Sequence, residues 1–425
     1  MQFAYDRAKV GSRAAKWINP KKDELLIPDR ETAFKAIASF DRQLKGLMPK
    51  HKRAEILIAR AMVWEALGQP EMVQAASDAW NCTKTATTAH LMAVGYHHTG
   101  NIKEACKFYE RAYQYPHEAG FNIDLAYTQA LLFQGKWTEA HEQTLKLKKR
   151  MVYAAYLPEW DGQPCEKLSL VSEGGFGDII HTGRWILTLK ELVKNLTVYL
   201  PPYFFETGFV DLMRAQIWAP EIKLLTETPQ NVPAVGFFDL PAVFNVQPDT
   251  IPPPLPFSTN AESHVSGEKP RIGFCWAARQ SETPLVPSGV YRALTDEQAV
   301  RIIQQTSDKL HWVNLQKGES LAGVQNVNLN AWPDTAAVIA NLDAVVCVDT
   351  AIAHLAASMG KPTYVLLSGA IDWKFGLHET LCPWYPTMRL FKNNAWGFDA
   401  AVQNLIDFLK QEFTCPIVPP LSHPS

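Results

Sequence analysis

The chain has 425 residues, of which 47% are apolar and 20% charged, and its formal net charge is −2. That is the composition of a soluble globular protein, too long for one ordinary core, so two or three domains are expected. It holds no apolar run long enough to span a membrane, and its polar, basic start lacks a signal-peptide core, so a cytoplasmic location is expected.

The small net charge hides an asymmetry. Residues 1–60 carry 14 Lys and Arg against 7 Asp and Glu, a net of +7 that leaves −9 for the remainder. Such an arm suits an acidic partner, or it is simply a solvated helical surface. Helical periodicity begins near 31–47. Between 54 and 150 a pattern then repeats, with Gly68-Gln69, Gly100-Asn101 and Gly135-Lys136 each separating two apolar stretches. The spacings of 32 and 35 residues lie close to the tetratricopeptide helix–turn–helix unit. Ala105 and Ala140 follow their turn glycines at equal distance, where close helix packing needs a small side chain, and Phe108, Tyr109 and Ala112 continue the inward face. Residues 1–150 are therefore expected to form a short solenoid, whose concave face suits a protein partner or self-association.

After Arg150 the character changes. Pro158, Gly162 and Pro164 mark a linker, and strand–turn–helix alternation begins. A strand over 168–171, a helix over 179–194 and strands over 196–200, 222–225 and 234–238 make a first lobe, 160–258. The Pro-rich 251–256 reads as an extended linker. A second lobe, 268–413, has strands over 271–276, 310–315, 342–348 and 363–367, with helices over 297–306, 335–341, 352–359 and 399–413. A Pro-rich tail, 414–425, ends the chain. This alternation predicts an α/β pair of doubly wound parallel sheets with a ligand cleft between them. The seven cysteines are scattered without a C-x-x-C pair, which fits reduced structural thiols and no zinc site.

Chemistry-bearing residues gather at two strand-to-helix junctions. In the first lobe the run is Ser172-Glu173-Gly174-Gly175-Phe176-Gly177-Asp178, continued by Ile179-Ile180-His181-Thr182-Gly183-Arg184-Trp185. Glycines let the backbone turn sharply and approach a ligand, which makes Gly175 and Gly177 candidate acceptor contacts. Asp178 stands at the helix start, either as a general base for an attacking hydroxyl or as an N-cap. His181, a second catalytic candidate, and Arg184, a candidate acceptor contact, share its side of the helix. The run is not a full dinucleotide fingerprint, which argues against a dehydrogenase. In the second lobe, Asp349, Thr350, Ala351 and His354 sit where a buried strand gives way to a helix. Free N–H groups and the positive dipole end there favour an anion such as a diphosphate.

Glu173 to Trp185, Asp349 to Pro362, and Asp372-Trp373 with Pro383-Trp384-Tyr385-Pro386-Thr387 together resemble bacterial tetratricopeptide glycosyltransferases, beside the heptosyltransferases (glycosyltransferase family 9). Trp160-Asp161-Gly162 and Leu315-Gln316-Lys317-Gly318 fit the same pattern. The resemblance covers about 160–410. It implies a GT-B fold of two Rossmann-like lobes, with the acceptor on the first and the nucleotide-sugar on the second. It also implies inverting, metal-independent transfer, with no cofactor beyond the nucleotide-sugar itself. Asp178 then matches the base and Asp349 the acidic residue near the donor sugar. Thr350 and Ala351 offer N–H groups to the diphosphate, and His354 lies one turn further in. Lys317 is the candidate cation for the leaving diphosphate, with Gly318 permitting close approach; no D-x-D metal pair occurs.

One segment departs from the family pattern. After Trp276-Ala277-Ala278-Arg279 the usual histidine and Asp–Arg pair are missing, leaving Trp276, Arg279 and Arg292 as candidate donor contacts. Trp373, Trp384 and Tyr385 read either as donor-pocket lining or as core. The acceptor is open among a glycan, a protein and a modified nucleic acid base. The alternative reading is a transferase-like chain without turnover that binds a partner through its repeats.

Overall fold

The computed structural model describes residues 30–117, 121–148, 157–260, 268–278, 292–376, 380–393 and 396–413, with 18–19, 24–25, 263 and 265. Arg279, the rest of 279–291 and the 414–425 tail lie outside the described residues.

Helices Arg30–Leu44, Lys50–Ala66, Glu71–Cys82, Ala86–His98, Ile102–Gln114, Phe121–Phe133 and Trp137–Lys148 follow one another through short turns. Gly68, Gly100 and Gly135 occupy the left-handed region, with φ of 61°, 75° and 74°. A side chain would be strained there, so the repeated glycines end the first helix of each pair. Starts are set by side chains. Thr85 and Thr88 cap each other reciprocally, and Asn101 Oδ1 accepts the Glu104 N–H at 3.3 Å. Ala105 and Ala140 are fully buried, letting neighbouring helices approach closely.

Two parallel sheets follow. In the first lobe the strand order is Glu221–Leu224, Val193–Leu200, Cys165–Val171, Ala234–Gly236. In the second it is Met388–Lys392, Thr363–Leu367, Ala344–Val348, Arg271–Cys275, His311–Asn314, Val324–Gln325. Each sheet starts at an inner strand and is built outward to both sides. Strand order therefore reverses beside Cys165–Val171 in one lobe, and between Arg271–Cys275 and Ala344–Val348 in the other. Connections leave a crevice at such switch points, outside the carboxyl ends of the strands. Asp178 follows the first strand of one sheet, and Asp349 follows Ala344–Val348 of the other.

The single helix expected over 179–194 is broken. Helix Phe176–Thr182 passes into a 3₁₀ turn, Gly183–Trp185, then helix Ile186–Leu192, and Val193 already belongs to the next strand. The cause is tertiary. Arg184 Nη1 reaches the carbonyls of Pro252 and Trp384 at 2.9 and 3.0 Å, and Leu255 of the linker presses on Gly183, where a Cβ would lie 3.3 Å from its Cδ2. The linker itself is extended but anchored, for Leu255 and Phe257 are buried and Trp218 Nε1 donates to Pro256 O at 2.7 Å.

The repeats dock on both lobes rather than standing apart. Trp137 stacks on Trp384 at 5.9 Å between ring centroids and meets Trp373 edge-on at 5.7 Å. His141 Nε2 donates to the first-lobe carbonyl of Val246 at 2.7 Å. Trp137 is 1% exposed and its indole N–H has no partner, so the contact is held by packing alone. Trp137→Ala should therefore lower stability by about 3–5 kcal/mol, read as a drop in the urea midpoint. Trp137→Phe, which keeps a ring in the joint, should lose much less; equal losses would mean that the joint is not close-packed.

Candidate functional site

The first-lobe junction is shaped around one carboxylate. Past the buried end of Cys165–Val171 the chain turns through Gly174 and Gly175 into helix Phe176–Thr182. Asp178 folds back, and its Oδ2 accepts the Gly175 N–H at 2.9 Å. Gly174 lies so close that a Cβ there would fall 2.6 Å from the Asp178 side chain. Tyr203 closes the turn by donating to Gly174 O at 3.0 Å. Burial raises the Asp178 pKa above the ordinary carboxylate value, and Asp372 and Asp349 add to the rise, while Lys374 and the Gly175 N–H oppose it. The result is a more basic carboxylate than a solvated one.

At the second-lobe junction, Ala344–Val348 is buried throughout and delivers Asp349 and Thr350 to helix Ala351–Ser358. Thr350 is extended, and no side chain caps this helix; its hydroxyl turns toward Cys275 Sγ at 3.9 Å instead. Asp349 is mostly buried, with Arg292 Nη1 at 3.7 Å and His354 Nε2 at 3.9 Å.

The two helix starts meet. A Cβ on Gly177 would sit 3.1 Å from His354 Cδ2 and 3.3 Å from Ala351 Cα, so any side chain there would press the facing helix outward by a few tenths of an ångström. Tyr385 bridges the lobes behind it, with its hydroxyl 3.0 Å from His354 Nδ1 and 3.4 Å from His181 Nδ1. Its single proton can serve only one ring. The hydroxyl therefore donates to one of the two Nδ1 atoms and accepts from the other. Both rings stay neutral: burial lowers their pKa well below 6.5, and the nearby cations Arg184 and Lys374 lower it further.

Several candidate residues take other places. Arg184 is 2% exposed and donates to the carbonyls of His181, Pro252 and Trp384, at 2.8, 2.9 and 3.0 Å. It fastens the lobes and does not face an acceptor. Trp276 packs in the core on the far side of the second sheet, against Phe274 and Leu294. Lys317 is exposed and donates to Asn330 O at 2.8 Å, beside Gly318 with φ of 84°. Its amine closes a loop of its own lobe. Arg292 lies next to Asp349, as described, while Arg279 is outside the described residues.

The cation that the site does hold is Lys374, on the single turn Trp373–Gly376. Its Nζ lies 3.1 Å from Asp372 Oδ2, and its side chain is 11% exposed. Burial alone would lower its pKa, yet Asp372, Asp349 and Asp178 together raise it above that of an ordinary lysine. One ammonium thus answers carboxylates from both lobes. Sequence reading singled out Asp372-Trp373 but passed over the next residue, since what distinguishes Lys374 lies near positions 178 and 349. Among the described residues, no group of three or more His, Cys, Asp or Glu is placed to hold a metal ion. The groups suited to a diphosphate are the N–H groups at the start of Ala351–Ser358, with Lys374 and Arg292.

Residues 254–369, from the linker to the strand after the second junction, match the family described as glycosyltransferase family 9 (heptosyltransferase). The chain thus carries a domain of that glycosyltransferase kind. No curated protein gives a significant match. Among solved structures, the glycosyl transferase family 9 protein of Veillonella parvula DSM 2008 aligns at 10% identity and a TM-score of 0.40, over 60% of this chain and 99% of its own. E. coli heptosyltransferase WaaC with ADP aligns at 12% and 0.38, over 57% and 99%. A mutant O-GlcNAc transferase of Thermobaculum terrenum aligns at 11% and 0.34, over 97% and 93%.

The neutral buried histidines set a pH dependence. His181, His354 and, in the repeats, His90 all have pKa values lowered by burial from 6.5, His90 to about 4. As pH falls below 6.5 the unfolded chain binds protons that the folded chain refuses, so stability declines. Asp178, with a raised pKa, works in the opposite sense, gaining stability as pH falls through that raised value. His90 alone should contribute a loss of up to about 3 kcal/mol by pH 4. Urea melts should show a midpoint falling steadily below pH 6.5; a flat profile would mean that these rings are charged in the folded protein.

Proposed function

We propose that this chain transfers a sugar from a nucleotide-sugar to a hydroxyl acceptor, with inversion at the anomeric carbon and without a metal ion. The observation that carries this reading is the close approach of the two helix starts, Gly177 against Ala351 and His354, which brings Asp178 of the first lobe and Asp349 of the second to one site beside Lys374 and its partner Asp372.

Asp178 takes the acceptor hydroxyl proton as the hydroxyl oxygen bonds to the anomeric carbon. The bond from that carbon to the diphosphate oxygen breaks, and its electron pair leaves with the nucleoside diphosphate. A buried carboxylate of raised pKa suits the first task, since base strength follows pKa. Lys374, Arg292 and the uncapped start of Ala351–Ser358 suit the second, because fixed positive ends stabilise charge as it develops. Asp349, mostly buried between Arg292 and His354, stands beside the donor sugar. His181 orients Tyr385 rather than acting as the base, because its Nδ1 is engaged and burial lowers its pKa well below 6.5, which makes the ring a weak base. Gly175 keeps the first-lobe backbone open on the acceptor side, while Gly177 lies against the donor-side helix. The acceptor is a glycan, a protein or a modified base, and a cytoplasmic setting is part of the same reading. No helix among the described residues is long and apolar enough to cross a membrane.

The test is turnover of a panel of nucleotide-sugars by the purified chain, with Asp178→Asn beside the wild type. Asparagine can still accept the Gly175 N–H, so donor binding should stay within about twofold while turnover falls by about a hundredfold or more. Asp349→Ala should instead weaken donor binding, read by calorimetry. Surviving turnover in Asp178→Asn would assign the base elsewhere, and no nucleotide-sugar binding at all would sink the transfer reading.

A further inference from the structure

We infer that the helical repeats complete the transfer site: His97 is a positioning residue that sets the place of Lys374 through the Ile371 carbonyl. The inference rests on the reading of Lys374 as the cation that meets the leaving diphosphate.

Lys374 sits on a helical turn of four residues, too short to hold its own shape. Local bonds help little. Asp372 Oδ1 accepts the Lys374 N–H at 3.1 Å, and Asp372 O accepts the Phe375 N–H at 3.0 Å. The firm support comes from the repeats, on three sides. His97 Nε2 donates to Ile371 O at 2.6 Å, just before the turn. Trp137 meets Trp373 edge-on at 5.7 Å, just before the lysine. Phe133 covers Gly376 so closely that a Cβ there would fall 2.5 Å from its Cε1.

His97 is itself held in one tautomer. A carbonyl only accepts, so Nε2 carries the proton and Nδ1 accepts from Tyr109 Oη at 3.2 Å. Burial lowers the ring's pKa, which fits a neutral imidazole with one donor and one acceptor. Tyr109 is buried in the repeat core, on helix Ile102–Gln114. A chain of fixed groups thus runs from the second helix pair of the repeats to the backbone that carries the lysine.

The experiment uses the full chain with His97→Ala, His97→Gln, Lys374→Met and the double variant His97→Ala/Lys374→Met. Dissociation constants for ADP, GDP, UDP and CDP are measured by calorimetry, and kcat and KM for any donor that turns over. His97→Ala should weaken diphosphate binding about tenfold and lower kcat. His97→Gln keeps an N–H for the Ile371 carbonyl and should recover most of both. In the Lys374→Met background His97→Ala should have no further effect, because the lysine it positions is gone. Independent, multiplying losses would overturn the inference, as would a Gln variant as weak as Ala with an unchanged thermal midpoint. If the wild type binds none of the four diphosphates, the transfer reading fails by itself. Hydrogen exchange of the 371–376 amides then decides the positioning: faster exchange in His97→Ala alone upholds it, and no change overturns it.

Discussion

A guanidinium buried at the centre of the molecule, that of Arg184, is the contact on which the arrangement depends. Burying a charge costs several kcal/mol unless its donors are satisfied. Here carbonyls of the first lobe, the linker and the second lobe take Nε and Nη1, from His181, Pro252 and Trp384, while Nη2 is buried without a hydrogen-bond partner. The rings of Trp384 and Tyr385 lie 5.1 and 5.0 Å from the guanidinium carbon and add cation–π attraction. Separating the lobes here would strand a charge in an apolar joint, so the two helix starts stay in contact beside it. The same charge helps keep His181 and His354 neutral, which leaves Tyr385 able to order its hydrogen bonds in one direction.

Around that fixed point the protein separates two kinds of surface. One is an aromatic joint, where Trp137 of the repeats, Trp185 of the first lobe and Trp384 of the second pack with little hydrogen bonding. The other is a charged site, where Asp372 pairs with Lys374 at 3.1 Å and Asp349 and Asp178 act on the same ammonium through charge. The joint supplies stiffness and the charged site supplies field. They share one short segment, Ile371 to Gly376, and this is why the repeats bear on the chemistry as well as on stability.

How much of the site is legible before folding depends on how local each signal is. Asp178, Asp349 and His354 can be found because a strand end, a glycine and a helix start are features of neighbouring residues. Arg184 and Trp276 have the right types at plausible places, yet one is sealed between lobes and the other faces the opposite side of its sheet. Helical and strand periodicity show that a residue has a side, not what covers that side. Lys317 has the charge expected for a leaving group, and the loop geometry spends it on Asn330. Lys374 was missed for the converse reason. Its near neighbour Asp372 pairs with it, but a local Asp–Lys pair is common, and what sets this one apart is the added charge of Asp349 and Asp178 from far along the chain.

What the sequence by itself determined are the pieces: turn glycines whose positive φ ends one helix of each repeat, apolar runs that become buried strands, and junctions that place carboxylates at strand ends. These depend on steric limits and hydrogen bonds within a few residues. Only the tertiary structure decided that Gly177 would lie against Ala351, that the helix expected over 179–194 would break at Gly183, and that the repeats would bond to the segment just before the turn that carries Lys374. The physical reason is that each unit shows which face must be buried, while the choice of partner for that face is made by shape and charge across residues far apart in the chain.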